Sequence, residues 1–195
     1  MTLHTFALGL LGANCYLLEN DGHALVIDPS GNPEKLLGFL RERGLTLDAI
    51  CLTHIHYDHI GALRPLAEAT GAPVYLHPAD DAIEASMARG LMTAHLPYGD
   101  TLSAAGLTLE VFHTPGHSPG SVCLRLGELL FTGDTLFAGT CGRTDLPGGD
   151  WSAMLASLRR ISHLSDEATI LPGHGSAASL AAERRDNPYL REALA

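Results

Sequence analysis

Seven residues of this chain have the types and spacing needed to hold metal ions. The densest stretch is Thr53-His54-Ile55-His56-Tyr57-Asp58-His59, with three imidazoles and a carboxylate in a short run. On a strand, residues 54, 56 and 58 would share one face while 59 pointed to the other. A helix would scatter all four around its axis. Neither brings four donors onto one ion, so the run is expected to be a loop serving two neighbouring ions. Three more donors stand apart: His117 in His-Thr-Pro-Gly-His, Asp134 in Phe-Thr-Gly-Asp and His174 in Leu-Pro-Gly-His. Each comes shortly after an apolar run and directly after a glycine, which permits the sharp turn that aims the next side chain over the strand ends. If Asp134 is shared, one ion takes His54, His56, His117 and Asp134, and the other takes Asp58, His59, His174 and Asp134. Such a nitrogen and oxygen set, without thiolates, suits zinc first, with iron or manganese as alternatives. Two divalent ions about 3.5–4 Å apart hold a hydroxide at neutral pH, which attacks electrophilic carbonyl or phosphoryl centres. Asp58 is expected both to ligate and to help fix that hydroxide, and Asp134 to tie the two ions together.

Placing these donors requires several strand ends to meet. Residues 14–18 and 24–27 flank the Asn-Asp-Gly signal at 20–22 and read as a hairpin. Asn32 caps a helix with Pro33 in its first turn that stops at Gly44, and 48–52 is a short buried strand. A helix over 61–70 and a strand over 73–76 follow. In the second half, 107–112, 122–126 and 129–132 read as strands, with Gly127 turning the last two. Asp150 caps a helix whose Trp151, Met154, Leu155, Leu158 and Ile161 recur at helical spacing. A strand over 169–171 and a helix opened by Ser176 complete the chain. The halves share an order: hairpin, Asp28, helix, strand and His54, then hairpin, Asp134, helix, strand and His174. That weak repeat predicts two β-rich layers covered by helices, in one domain spanning 1–195.

Asp28 ends a buried strand beside a Pro-Ser-Gly turn and is expected to contact the histidine loop from behind. His113 is expected to hold the Thr-Pro-Gly turn, and Cys141 to be a small residue between turns. His4, His23, His77, His95 and His163 read as ordinary residues. Tyr189 lies within possible reach of the site.

Composition narrows the function. Hydrophobic residues make up 46% and charged residues 17%, enough for a buried core and too apolar for a disordered chain. Twelve basic against 22 acidic residues give a formal charge of −10, which argues against nucleic acid and anionic membranes as partners. No apolar run reaches the length of about 18 residues that spans a bilayer, and no basic residue precedes the apolar start, as a secretory signal would need. The four cysteines are widely spaced without a CxxC pair, which fits a reducing, cytoplasmic setting.

The run His54-x-His56-x-Asp58-His59, followed by His117, Asp134 and His174, resembles the metallo-β-lactamase superfamily over nearly the whole chain. That resemblance implies an α/β fold, the four-layer αβ/βα sandwich, with two metal ions at one edge. Class B1 β-lactamases of the superfamily carry Cys where this chain has Asp134 and are exported, and its nucleases need a basic surface. Both comparisons point elsewhere. The stretch from Gly139 to Asp150 (Gly-Thr-Cys-Gly-Arg-Thr-Asp-Leu-Pro-Gly-Gly-Asp) is similar to short bacterial glyoxalase II-like hydrolases, which implies hydrolysis of S-D-lactoylglutathione or a related glutathione-derived thioester. Arg143 falls where those enzymes place a basic residue on glutathione, and a guanidinium pairs well with a carboxylate. Long glyoxalase II enzymes add a helical C-terminal region with further basic contacts, whereas 21 residues follow His174 here. The same Cys-Gly-Arg-Thr-Asp stretch resembles persulfide dioxygenases, which use one iron on residues matching His54, His117 and Asp134.

Overall fold

A computed structural model of the protein describes residues 1–81, 90–96 and 100–195, with the backbone alone described for 81 and 92–95. Thr2–Leu8 (β1) pairs antiparallel with Ala13–Asn20 (β2), which turns into His23–Ile27 (β3). The turn is Asp21-Gly22, both left-handed at φ 49° and 79°, a backbone twist that matches tight hairpins. Asn32 accepts the Lys35 N–H and opens Pro33–Arg43 (α1), a crossover that leads to Thr46–Cys51 (β4), parallel to β3. Leu63–Thr70 (α2) and Val74–Leu76 (β5) follow, then the short Pro78–Asp81 (α3) and Met92–His95 (β6). The first sheet runs β1-β2-β3-β4-β5-β6.

The second sheet repeats the device. Thr101–Ala104 (β7), Leu107–His113 (β8), Val122–Leu126 (β9) and Leu129–Gly133 (β10) form an antiparallel meander. Leu136–Phe137 (β11) and Thr140–Cys141 (β12) make a small hairpin. Trp151–Ser162 (α4), whose first turn is capped by the Asp150 carboxylate on the Ala153 N–H, crosses over to Thr169–Pro172 (β13), parallel to β10. The hairpin, crossover helix and parallel strand therefore occur once in each sheet, as the sequence repeat predicts.

The C-terminal end differs from expectation. Ser176 does not open a helix: Ala178–Ser179 (β14) first pairs with β13, and Ser179 caps Leu180–Asp186 (α5) by accepting the Ala182 N–H. Asn187 then ends α5 and caps Pro188–Leu194 (α6), because Pro188 lacks the N–H that a continuous helix would need. Strand β1 and the strands β6 and β7 were also outside the sequence reading.

Strand alternation builds the layers. Leu17, Ala24, Val26 and Ile50 turn outward onto Leu36 and Leu40 of α1 and Leu63 and Leu66 of α2. Their neighbours Leu18, Leu25, Ile27 and Ala49 turn inward onto Leu109, Val111, Leu124 and Phe131 of the second sheet. On the far side, Cys123, Leu130 and Ile170 meet Met154, Leu158 and Ile161 of α4 and Leu190 of α6. Three apolar seams between four layers make an αβ/βα sandwich.

Candidate metal centre

The site lies where strands of both sheets end. Asp28 follows β3, the His54–His59 loop follows β4, His117 sits between β8 and β9, Asp134 follows β10 and His174 follows β13. The structure brings all seven expected donors together. His54, His56 and His117 form one group and Asp58, His59 and His174 another, the donor atoms within each lying no more than 4.8 Å apart. His56 Nδ1 and His117 Nε2 are 2.7 Å apart, two imidazole nitrogens facing a common point. His174 Nε2 is 3.1 Å from Asp58 Oδ2. Between the groups stands Asp134, with Oδ2 3.4 Å from His117 Nε2 and 3.8 Å from His174 Nε2, and Oδ1 3.3 Å from His59 Nε2.

Hydrogen bonds on the far sides of the rings choose the tautomers. His59 Nδ1 donates to Asp28 Oδ2 at 3.0 Å, and His117 Nδ1 donates to the Arg143 carbonyl at 2.8 Å. Thr53 spends its hydroxyl proton on Asp28, so at 3.1 Å its oxygen accepts from His54 Nδ1. Each leaves an Nε2 lone pair facing the centre. Asp28 thus stands behind the loop, as expected, and accepts the Thr53 N–H as well.

The electrostatics divide the donors. His59 is raised against its burial to about 10 by Asp134 and Asp28, and His174 is raised by Asp58. A cation entering there takes the place of the His59 proton, while the remaining shifts favour ligation directly. Burial, reinforced by the neighbouring imidazoles, pushes His54 well below its usual pKa and His56 down to about 4, leaving both as neutral ligands. Burial opposes ionisation of Asp58, but its His174 hydrogen bond and the charge of His59 prevail and bring it to about 2. Asp134 is likewise lowered against its burial, chiefly by the His59 imidazole beside it and then by His117 and His174. His54 Nε2, His59 Nε2 and Asp134 Oδ1 are buried without a hydrogen-bond partner. Buried polar atoms rarely go unpaired, and three aimed at one place are the signature of a missing partner that accepts lone pairs. The donor set fits divalent metal.

Of the glycines before these donors, Gly116 and Gly133 have the positive φ expected and Gly173 does not. Gly133 (φ 48°) does turn the backbone, but Gly173 has no left-handed torsion; a Cβ there would meet Asp134 Oδ1 and stand 2.6 Å from His59 Cε1. It is the room between two donors that excludes a side chain.

A cavity of 540 Å3 opens over the centre, lined by Leu11, Tyr57, Leu146, Pro147 and Arg143 beside the donors. The Arg143 guanidinium lies at its exposed rim, paired with Asp145 at 2.6 and 2.7 Å. Tyr189 does not reach the cavity; it packs edge-on against Trp151, 5.8 Å between ring centres. His113 Nε2 donates to the Pro119 carbonyl and so holds its turn, and it stacks on His77. His4 and His23 pair with Glu19 and Asp48, and the His95 side chain lies outside the described residues. The cysteines are free; burial pushes up all four thiols, Cys123 and Cys141 to about 11.

Sequence reasoning missed the residues that brace the donors. Asn14 Nδ2 donates to the carbonyls of Pro172 and Gly175, and the Tyr16 hydroxyl to Pro172, bracketing His174. The Asp80 carboxylate joins two loops, and the Arg143 carbonyl aims His117. An Asn and a Tyr on a strand, or a main-chain oxygen, carry no local signal of this work.

The profile of the metallo-beta-lactamase superfamily matches residues 8–174. The chain belongs to that superfamily. Several relatives are similar to it over almost their full length. The "Probable metallo-hydrolase YqgX" of Bacillus subtilis is 41% identical, covering 94% of each chain. "Hydroxyacylglutathione hydrolase GloC" of Haemophilus influenzae is 35% identical, covering 91% of this chain and 92% of that one. Among solved structures, TTHA1623 in a di-iron-bound form is 42% identical with a TM-score of 0.83, covering 95% and 99%. Superfamily membership makes this protein a metal-dependent hydrolase with a divalent-metal site, built on the superfamily's αβ/βα fold. No helix among the described residues is long and apolar enough to cross a membrane.

Proposed function

We propose that this chain is a cytoplasmic glyoxalase II-like thioesterase that hydrolyses S-D-lactoylglutathione or a related acyl thioester at a dinuclear centre. His54, His56 and His117 would hold one ion, Asp58, His59 and His174 the other, and Asp134 would serve both. When bound, two divalent ions supply a hydroxide at neutral pH and polarise the thioester carbonyl. Zinc is the first expectation, with iron or manganese as alternatives.

The chain's own residues do the rest. Asp58 lines the cavity and is ionised, so its Oδ2 can hold and orient the proton of an attacking water. Leu11, Tyr57, Leu146 and Pro147 form an apolar wall that excludes water from the thioester. Arg143 at the rim pairs with a substrate carboxylate, exchanging its contact with Asp145. The net charge of −10 is consistent with a small-molecule substrate in preference to nucleic acid or a membrane surface.

The observation that carries the reading is the set of three unpartnered buried donor atoms beneath that cavity. The glutathione part draws on the resemblance around Arg143 and on the named activity of the Haemophilus relative. Elemental analysis of the purified protein, with S-D-lactoylglutathione hydrolysis assayed on the same sample, tests it. About two metal ions per chain with rapid thiol release is the expected result. One iron per chain, no thiol release and oxygen uptake with glutathione persulfide would replace the proposal with the persulfide dioxygenase alternative.

A further inference from the structure

Asp80 is a carboxylate with 0% of its surface exposed, and neither the metal groups nor the hydrolytic reading uses it. It is held by donors alone: Oδ1 accepts the Gly120 N–H at 2.5 Å, while Oδ2 accepts the Ser118 hydroxyl at 2.8 Å and the Ile55 N–H at 3.2 Å. Ile55 lies between His54 and His56, and Ser118 is the residue after His117. One side chain thus fastens together the two loops that supply the three-histidine group. In the second group Asn14 and Tyr16 brace the His174 loop, and Asp28 serves both groups, standing behind His59 directly and behind His54 through Thr53.

The join is tight. A Cβ on Gly120 would stand 2.6 Å from both the Cγ and the backbone nitrogen of Asp80. The glycine is what lets the second loop close onto the carboxylate. Two of the three donors are main-chain N–H groups in buried surroundings, so losing the acceptor leaves them unpaired, and the loops part to let water in.

We propose that Asp80 is a positioning residue that sets His54 and His56 against His117, and so tunes the metal affinity of that half of the centre more than that of the half holding Asp58, His59 and His174. The proposal rests on the dinuclear reading above. An outer carboxylate that orients ligands through main-chain contacts is worth about 10–100-fold in metal affinity.

The test is a stepwise titration of metal-free protein with Co(II), whose visible spectrum reports each ion's ligand geometry. Four variants are compared with the wild type: Asp80→Asn, Gly120→Ala, Ser118→Ala and Asp28→Asn. Gly120→Ala keeps the carboxylate but displaces it, and Ser118→Ala removes one donor only, so a folded variant remains if Asp80→Asn fails to fold. In Asp80→Asn and Gly120→Ala one binding step weakens about 10–100-fold with an altered spectrum, while the other moves less than about threefold. Ser118→Ala weakens the same step by a smaller factor, and Asp28→Asn, whose carboxylate stands behind His59 and through Thr53 behind His54, is the control that weakens both. Equal weakening of both steps by Asp80→Asn or Gly120→Ala, or unchanged affinities in those folded variants, overturns the proposal. A wild type that takes up a single ion sinks the dinuclear reading instead. The positioning role is then judged on that ion: Asp80→Asn must weaken it, and an unchanged affinity overturns the proposal.

Discussion

At the scale of single residues, the centre depends most on Asp134. Its two carboxylate oxygens lie 3.3–3.8 Å from nitrogens of His59, His117 and His174, so it touches both histidine groups. Asp134→Ala is therefore expected to empty both halves and to remove nearly all turnover; elemental analysis showing full metal content would rule out its shared position. Arg143 is predicted to behave differently, because its side chain is exposed at the rim while its carbonyl does the aiming of His117. Arg143→Ala keeps that carbonyl and loses one charge-assisted contact, worth about 1.5 kcal/mol or tenfold. KM for an anionic thioester should rise by about that factor with kcat little changed, and steady-state kinetics would show a fall in kcat instead if the residue served the chemical step. The candidate donors were legible in the sequence because clustered His and Asp are rare and their spacing limits what geometry can hold them. Asp80, Asn14 and Tyr16 were not, since their partners, mostly main-chain atoms, lie up to 161 residues away and meet only after folding.

At the scale of elements, the caps and cross-element ties carry stability without touching the centre. The Asp150 carboxylate pairs with the Ala153 N–H at the start of α4, the helix that leads the chain into the strand before His174. Asp150→Ala should cost about 1 kcal/mol and lower Tm by about 2–4 °C, with the metal content unaltered. Glu19 on β2 binds Arg43 of α1 at 2.7 and 2.9 Å and His4 of β1 at 2.8 Å. Chiefly through Arg43, its pKa falls from 4.5 to about 2. A carboxyl with a lowered native pKa adds stability above its unfolded pKa and loses it as the pH falls through the native one. The Tm gap between wild type and Glu19→Gln should then be widest above about pH 4.5 and close toward pH 2; a gap that persists at pH 2 would assign the effect to packing. Periodicity and caps revealed α1, α4 and the hairpin of β2 and β3, because each has a local signal. The break between α5 and α6 needed closer weight on Asn187-Pro188, and β14 escaped because two residues show no period.

At the scale of the whole molecule, the two sheets contribute complementary halves of one centre. The first brings Asp28 and the His54–His59 loop, and the second brings His117, Asp134 and His174. The site exists only when both sheets are packed, so metal binds the native state far better than the unfolded chain. Stripping the ions by chelation should lower Tm, and metal at about 100 times its Kd should restore about 2.7 kcal/mol. Equal Tm values for loaded and stripped protein would mean the loops hold their places unaided.

The seams between the layers offer a reporter of their own. Cys15 lies in the first apolar seam, Cys51 in the second and Cys123 in the third, each with 0% exposure. A thiolate reacts only when its surroundings open. The unmodified chain thus carries a built-in clock for each interlayer space. The rates at which the three thiols take up a small electrophile under native conditions would rank the seams by how often they part, and would tell whether the sandwich opens from one face or all at once.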